Sequence, residues 1–485
     1  MDTHYQGSDQ SVSAHSNDSI PENSDEIKLL TEDTNVIQGC EHTANTDLKV
    51  KSTWFRLYIL FLFSSLCFLQ NLFVNTWGPM ADSVEIALNR NDQGTTVAWL
   101  SNSAAIAYIP GVVIFYLIIN HLGLRFGVVV ATLLVCLCGI LRCFIFSTSS
   151  IFGTSLLFFA QFLNGLAGPV VVSATTQLSA NWFPSNERNI ATAISGQSSN
   201  IGISISFILG PLLVPDVNTS SFISSSTKSV ITNSILHLLY IEAVAAVLLF
   251  ILIVLYFPSR PKSAPSVSAT VDRLNFVSTI KSYSRNYPLI LLSLCYAIPV
   301  GVNTGWYGFL YPNLRKLSVH VSQNYVGWLG FYMSTAGAFS AVFFSTIAGC
   351  FPRRKKLLVV TLFISASILL AFFSFICLDI IQIGDNIYKL LTITGITCGI
   401  FLSAVDPILK ELIVEVGFPI AEFNSTLTAS LIFDIIMILF FGIASLSFLG
   451  TTWINWFQLA VYIASAFMIL LTPIKLHRLD RDTSY

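Results

Sequence analysis

Long apolar runs separated by short polar stretches make up most of this chain. Twelve of the runs are long enough to cross about 30 Å of hydrocarbon as a helix that rises about 1.5 Å per residue. They lie at 54–76, 96–119, 125–146, 153–178, 189–213, 232–257, 288–311, 325–348, 357–378, 388–414, 422–447 and 453–474. The pattern predicts an all-α integral membrane protein with twelve transmembrane helices, six on each side of the polar stretch 258–287.

The composition supports this prediction. Of 485 residues, 54% are hydrophobic and 11% are charged, whereas about 25% of an average soluble domain is charged. The formal net charge of −1 gives no reason to expect nucleic acid as a partner. We therefore expect the lipid bilayer to surround most of the chain.

The first 53 residues contrast with the apolar runs, because they are polar, acidic and poor in aromatic side chains. Such a segment cannot bury enough apolar surface to fold, so we predict a disordered tail. It has no basic head followed by an apolar region, so we do not expect a cleaved signal peptide. We divide the chain into a tail at 1–53, a first half at 54–257, a linker at 258–287, a second half at 288–474 and a tail at 475–485.

Lys and Arg are unevenly distributed between the two sets of predicted loops. If residue 1 is cytosolic, the cytosolic side holds fourteen of these residues outside the first tail, and the opposite side holds five. The fourteen are Arg125, Arg188, Arg260, Lys262, Arg273, Lys281, Arg285, Arg353, Arg354, Lys355, Lys356, Lys475, Arg478 and Arg481, and the five are Arg90, Lys228, Arg315, Lys316 and Lys389. Because basic residues concentrate in cytosolic loops, we predict that both termini are cytosolic. Asn218, in Asn218-Thr219-Ser220, is then a glycosylation site on the opposite side.

The first tail contains a short pattern with a sorting function in other proteins. Asp25 precedes the pair Leu29 and Leu30 by four positions. The pattern resembles the acidic dileucine signals that cytosolic adaptor proteins bind on endosomal and lysosomal proteins. Short patterns of this kind also arise by chance in acidic tails.

Small and amide side chains are concentrated in the fourth and fifth predicted helices, between Ala160 and Pro215. They include Asn164, Gly165, Gly168, Ser173, Ser195, Gly196, Ser198, Asn200, Gly202 and Ser206. Such residues bring helices close together or line a solvated cavity, because they gain nothing from lipid. We predict that this helix pair forms the wall of a polar cavity or a tight packing interface.

Three acidic residues inside predicted helices are candidates for proton coupling. They are Glu242 in the sixth helix, Asp406 in the tenth and Asp434 in the eleventh. Ionisable groups are costly inside a membrane, and an acid removed from water can carry a proton between an acidic and a neutral compartment. The alternative is a structural ion pair, for example between Arg142 and one of these acids.

Aromatic and amide residues near the expected pathway form a second set of candidates, for substrate binding. They are Gln70, Asn75, Trp77, Asn164, Asn200, Tyr296, Asn303, Trp306 and Tyr307. Trp and Tyr faces stack on flat or cationic rings, and amides orient a polar ligand. The alternative for Trp77 and Tyr307 is the aromatic belt at the membrane surface.

No enzyme site can be assembled from the sequence. His121, His237 and His320 are scattered, and there is no metal-ligand spacing, phosphate loop or nucleophile triad. We expect no enzymatic activity, no cofactor and no metal. A membrane sensor or receptor that binds a ligand without moving it remains an alternative to a transporter.

Two six-helix halves joined by a basic linker resemble the major facilitator superfamily. Within it, several strings resemble the solute carrier family of the feline leukaemia virus receptors. They are NTWGP at 75–79, LRC at 141–143, LNGLAGP at 163–169, WF, ER and ATAI between 182 and 194, GPLLVP at 210–215, YAIPVGV at 296–302, VSQ and GW between 321 and 328, and ELIVE at 411–415.

This resemblance, which is strongest to a lysosomal branch of the family, implies a transporter. That branch implies proton-driven export of pyridoxine, vitamin B6, from the lysosome and agrees with the dileucine pattern. Other members imply choline or heme-related solutes. In the choline carriers a Trp of the first helix faces the substrate, whereas the matching position here is Phe68, so choline specificity does not transfer directly.

Overall fold

Helices cover every predicted transmembrane run in the part of the chain that the structure describes. The computed structural model describes residues 54–88, 95–145, 150–184, 186–214, 225–258, 276–314, 323–378, 386–444 and 452–474, together with 476, 478 and 479. The first half contains α1 (Phe55–Asn75), α2 (Ala81–Ala87), α3 (Thr95–Arg142), α4 (Ser150–Leu166), α5 (Gly168–Trp182), α6 (Arg188–Leu213) and α7 (Ser225–Leu255).

The second half repeats this arrangement of long helices. It contains α8 (Phe276–Arg285), α9 (Tyr287–Gly308), α10 (Leu310–Leu314), α11 (Gln323–Cys350), α12 (Lys355–Cys377), α13 (Ile387–Gly417), α14 (Glu422–Ala444) and α15 (Thr452–Leu471). The short helix α8 lies inside the predicted linker 258–287. Its Tyr283 hydroxyl is 2.5 Å from that of Ser293, and burial raises the pKa of the Tyr283 phenol to about 12.

Ten helical stretches of the described residues are long and apolar enough to cross a membrane. One of them, Asn102–Arg142, contains both the second and the third predicted runs. The two runs are separated at Gly123, whose φ of 84° favours glycine and turns the chain. The serine- and glycine-rich helix α6 is not among the ten. The all-helical membrane fold is therefore confirmed, whereas the count of twelve crossings stays a prediction.

The fourth predicted run, 153–178, lies within one membrane-length helical stretch, Ile151–Trp182, which has a local irregularity. It divides into α4 and α5 at Ala167. Pro169 follows at the start of α5, where proline is tolerated because the first N–H groups of a helix have no intrahelical partner. The hydropathy pattern did not reveal this irregularity, because the residues on both sides of it are apolar.

Each half has a hydrophobic core, and Phe423 and Leu427 of α14 in the second half pack into the core of the first. The first core is built around Phe63, Phe73 and Phe115, and the second around Phe363, Leu412 and Tyr462. The cores bury apolar side chains between helices, while large apolar side chains such as Phe61 and Phe339 are exposed on the outside, as expected for surfaces in contact with lipid.

One end of the helix bundle collects the start of α1 and the residues that follow α15. Arg56 and Glu187 form an ion pair of 2.8 Å there, Arg478 lies 3.6 Å from Glu422, and the Lys356 ammonium donates to the carbonyl of Thr472 at 2.8 Å. We call this end the terminal face. Because the start of α1 and the residues after α15 lie on the same face, an even number of crossings separates them.

Candidate functional site

The contacts between helices α1–α7 and helices α9–α15, which we call the seam, include several pairs of small polar side chains. The hydroxyls of Ser173 and Ser430 are 2.7 Å apart, and those of Thr176 and Thr426 are 3.1 Å apart. These pairs join α5 to α14. They are buried, so each hydroxyl satisfies the other away from water.

Two further contacts close the seam near the terminal face. The amides of Asn120 and Asn424 donate to each other's oxygens at 3.0 and 3.1 Å. The carboxylate of Glu411 accepts a hydrogen bond of 2.5 Å from Thr192 and one of 3.4 Å from Ser179. We call these five residues the latch, because they tie α3, α5 and α6 of the first half to α13 and α14 of the second.

Asp434 lies at the seam near the middle of the bilayer, about 18 Å along α14 from Glu422 at about 1.5 Å per residue. Its side chain is buried, and its Oδ2 has no hydrogen-bond partner among the described residues. Tyr108 of α3 faces it from the first half. The Tyr108 hydroxyl lies beside Ser173 and Ser430, and it makes no well-formed hydrogen bond with any of the described residues. An acid and a phenol are thus buried together with unused hydrogen-bonding capacity.

Glu242 has a different environment, because it is fully partnered within the first half. Arg142 lies 3.2 Å from one of its oxygens, and the hydroxyl of Thr76 donates to the other at 2.7 Å. Arg142 also donates to the carbonyl of Phe73 at 2.6 Å and to the side-chain oxygen of Gln161. The structure therefore brings together Arg142 and Glu242, which is the ion pair that the sequence analysis considered as the alternative.

Asp406 forms an ion pair with Lys410, one turn later on α13, at 3.1 Å. The Lys410 ammonium also lies 5.6 Å from the centre of the Tyr296 ring of α9. Lys410 was not among the residues predicted from the sequence. The signal was available, since a lysine four residues after an acid on an apolar helix is the spacing of an intrahelical ion pair.

The amide candidates of the first half all have hydrogen-bond partners within that half. Gln70 and Asn164 each donate a side-chain hydrogen bond to the other's backbone carbonyl, at 3.2 and 3.1 Å. Asn75 donates to Ser206 at 2.7 Å, and Asn200 donates to Gln197 at 2.6 Å. Trp77 is enclosed, and its ring lies 5.0 Å from the Arg142 guanidinium.

Three candidates on α9 belong to a polar network inside the second half. Trp306 is buried, and its indole N–H donates to Asn455 at 2.7 Å. Asn303 accepts from Gln458 at 2.9 Å, and the Tyr307 ring packs edge-on against Trp306 at 5.5 Å. Of the aromatic candidates, Tyr296 is the one that contacts charged groups at the seam.

A groove of about 370 Å³ lies between α1 and α6, away from these polar groups. Its lining is mainly apolar, and Leu57, Phe61 and Ile194 are exposed. This groove faces the lipid side of the first half, so the buried polar groups of the seam are the better candidate for a solute site.

Some predicted residues cannot be placed. Asp25, Leu29, Leu30 and Asn218 lie outside the described residues. Within the ranges that are described, no group of three or more His, Cys, Asp or Glu side chains could hold a metal ion.

The fold and the sequence both have known relatives. Residues 59–314 match the model of the Major Facilitator Superfamily. The fold is similar to that of the Escherichia coli fucose:proton symporter FucP, with a TM-score of 0.62 at 14% identity over 87% of this chain and 100% of that one. It is also similar to the proton:xylose symporter XylE, with a TM-score of 0.65 at 13% identity over 88% and 98% of the two chains. These similarities define a membrane transporter with the major facilitator fold.

Curated sequences identify the family within that fold. The solute carrier family 49 member 4 homolog of Xenopus tropicalis is 33% identical over 83% of this chain and 87% of its own length. The choline/ethanolamine transporter FLVCR2 of Rattus norvegicus is 24% identical over 73% and 60% of the two lengths. The chain therefore belongs to solute carrier family 49 of the major facilitator superfamily. The predicted family is confirmed, and it is a family of transporters rather than enzymes.

Proposed function

We propose that this protein is a secondary active transporter of the lysosomal membrane, which uses protons to export pyridoxine or a similar small organic solute by alternating access. The family and the fold support transport across a membrane. The seam between the halves supports alternating access, because short hydrogen bonds between side chains of the two halves close it and can separate without unfolding a helix.

The unpaired carboxyl oxygen of Asp434 is the observation that carries the proton-coupling part of this proposal. Glu242 is held by Arg142 and Asp406 by Lys410, so each has a compensating cation. Asp434 has no such cation beside it, and its Oδ2 has no hydrogen-bond partner among the described residues. Because burying an unpaired carboxylate is costly, the closed seam favours the protonated form of Asp434. Opening the seam to water would then allow the proton to leave.

Transport by purified protein in vesicles tests this assignment. In Asp434→Asn the side chain keeps its shape but cannot titrate. We expect pyridoxine exchange at equal pH to remain and its acceleration by an acidic compartment to disappear. The measurement is the initial rate of radiolabelled pyridoxine flux with and without a pH gradient.

Glu242→Gln is the matched comparison, since Glu242 is also a buried acid. Some of the Glu242→Gln protein will remain folded and monodisperse. We expect the pH gradient to accelerate pyridoxine flux through this fraction as it does through the unsubstituted protein. If Asp434→Asn keeps its response while Glu242→Gln loses it, the coupling residue is Glu242 rather than Asp434. If the parent binds solute but never moves it, the protein is a sensor or receptor.

Tyr296 is the contact we favour for the solute from the predicted set. Tyr296 lies at the seam, and an aromatic face there would stack on a pyridine ring. A carrier of choline-type solutes is the second candidate, because FLVCR2 is named as a choline/ethanolamine transporter. Competition of unlabelled choline against pyridoxine flux separates the two.

The lysosomal location is a separate part of the proposal and rests on the pattern of Asp25, Leu29 and Leu30. Replacing both leucines with alanine should move the protein to the cell surface, because adaptor proteins need the apolar pair. Fluorescence microscopy of the full-length chain with a lysosomal marker provides the measurement. An unchanged lysosomal distribution would contradict a sorting role for this pattern.

A further inference from the structure

The ion pair of Lys410 and Asp406 lies at the seam rather than inside one half. A Cβ built on Gly196 of α6 would lie 4.0 Å from Oδ2 of Asp406, so this carboxylate faces the other half at a position that has no side chain. Asp406 lies about 16 Å from the end of α13 at Gly417, at about 1.5 Å per residue, which is near the middle of a bilayer about 30 Å thick. The pair is therefore at the depth where alternating access exposes a solute.

The two charged side chains are not equally enclosed. The side chain of Lys410 is 7% exposed and that of Asp406 is 19% exposed. A charge pair in the middle of a membrane protein is costly to maintain, which makes it a candidate for binding or moving a solute. The partly open carboxylate leaves room for one more polar partner beside the pair.

The position of the Lys410 ammonium determines what that partner can be. It lies 5.6 Å from the centre of the Tyr296 ring, which is the position a cationic ligand would take to stack on this ring. A solute with a net positive charge would meet the lysine there and be repelled. An anionic oxygen beside Lys410 and a cationic ring nitrogen beside Asp406 would instead satisfy both charges.

We propose that Lys410 and Asp406 select a flat-ring solute that is zwitterionic, with no net charge, and that Lys410 is the residue that excludes net cations. This inference rests on the proposed transport function and adds the charge class of the solute. The zwitterionic form of pyridoxine, with a pyridinium nitrogen and a phenolate oxygen, belongs to this class.

Two probes of nearly equal shape test the charge rule. Trigonelline and 1-methylnicotinamide are both N-methylpyridinium rings, but the first carries a carboxylate and is zwitterionic, whereas the second carries a neutral amide and is a cation. Binding of each probe to the purified protein is measured as ligand-dependent thermal stabilisation in detergent. This readout does not require transport, so the charge rule and the transport proposal can fail separately.

The parent should bind trigonelline at least tenfold more tightly than 1-methylnicotinamide. Lys410→Met removes the ammonium from the Tyr296 face and leaves Asp406 unpaired, so the preference should reverse in favour of the cation. Lys410→Arg keeps the charge and should keep the preference. Lys389→Met, at an exposed lysine on the same helix, should behave as the parent.

A second variant covers the case in which Lys410→Met does not fold. In the double variant Lys410→Met with Asp406→Asn both charges are absent, so no buried charge is left unpaired, and the preference for either probe should be lost. The proposal is overturned if the parent fails to bind trigonelline, if it binds both probes equally, or if a folded variant without the lysine charge keeps the parent's preference.

Discussion

The three acids inside predicted helices differ in their partners rather than in their depth. Glu242 faces Arg142 and Thr76, Asp406 faces Lys410, and Asp434 faces Tyr108. A buried acid with a cation beside it is stabilised as an ion pair and resists a change of charge, whereas an acid beside a phenol can be neutral at little cost. Whether each acid is held as a charged ion pair or can be neutral therefore depends on the side chain beside it.

The ion pair of Arg142 and Glu242 gives a stability prediction at this scale. Glu242→Gln leaves the guanidinium of Arg142 buried without a counter-charge, and breaking such a pair costs about 3–5 kcal/mol. We expect a lower unfolding temperature in detergent and a lower yield of monodisperse protein. The unfolding temperature is read from intrinsic tryptophan fluorescence.

The double variant Arg142→Met with Glu242→Met is the control for this prediction. It removes both charges, so it should recover most of the lost stability, since replacing a whole buried pair with apolar side chains is often neutral. Asp434→Asn, which breaks no ion pair, should unfold near the parent temperature. A single Glu242→Gln variant as stable as the parent would show that Arg142 is neutralised by other groups.

At the scale of helices, glycines determine how closely α1 and α6 approach. A Cβ on Gly202 of α6 would lie 2.3 Å from the backbone oxygen of Phe68 in α1. Because the clash is with backbone, rotating a side chain would not relieve it. Such small residues permit close packing in a bilayer, where helices gain little from hydrophobic burial against each other. The polar, glycine-rich stretch noticed in the sequence is thus partly a packing surface.

A matched pair of substitutions tests this packing. Gly202→Leu should separate α1 from α6 and reduce the folded yield severalfold, because backbone would have to move. Gly330→Leu, on α11, is the control, since no atom lies within 4 Å of a Cβ built there. Size-exclusion chromatography of the two variants gives the comparison. Equal folded yields would contradict the tight α1–α6 contact.

For the whole molecule, the latch closes the seam at the terminal face. Thr192 and Ser179 of the first half donate to the carboxylate of Glu411 in the second. Hydrogen bonds to a charged group are worth about 1.5–3 kcal/mol each. Losing one would change the ratio of closed to open molecules by roughly 10- to 100-fold, at about 1.4 kcal/mol for each factor of ten.

Glu411→Ala should therefore open the terminal face in a larger fraction of molecules. Spin labels at Leu122→Cys and Phe351→Cys, which are exposed positions on opposite sides of the seam, should show a larger population at long distance in a pulsed double-resonance measurement. Cys350, which is exposed, and Cys40, in the first tail, are replaced with serine in every variant.

Glu187→Gln is the control for the latch experiment. It also removes a carboxylate at the terminal face, but its partner Arg56 belongs to the same half. Its distance distribution should match that of the parent. If Glu411→Ala also matches the parent, the seam is held closed by other contacts, such as the amide pair of Asn120 and Asn424.

The sequence by itself determined the class of protein, the helical runs and the family. Hydropathy is a local property, and a run of about 20 apolar residues has essentially one stable form in a bilayer, the helix. Motifs such as LNGLAGP at 163–169 are also local, because they consist of residues adjacent in the sequence. The irregularity at Ala167 was missed because both of its flanks are apolar.

Only the tertiary structure decided which side chains meet. Arg142 and Glu242 are 100 positions apart, and Ser173 and Ser430 are 257 apart. The rotation and tilt of each helix, set by packing against its neighbours, determine such contacts, and hydropathy carries little information about them. For this reason Trp306, an equal candidate by sequence, lies in a network inside the second half, while Lys410, which the sequence analysis passed over, lies at the seam.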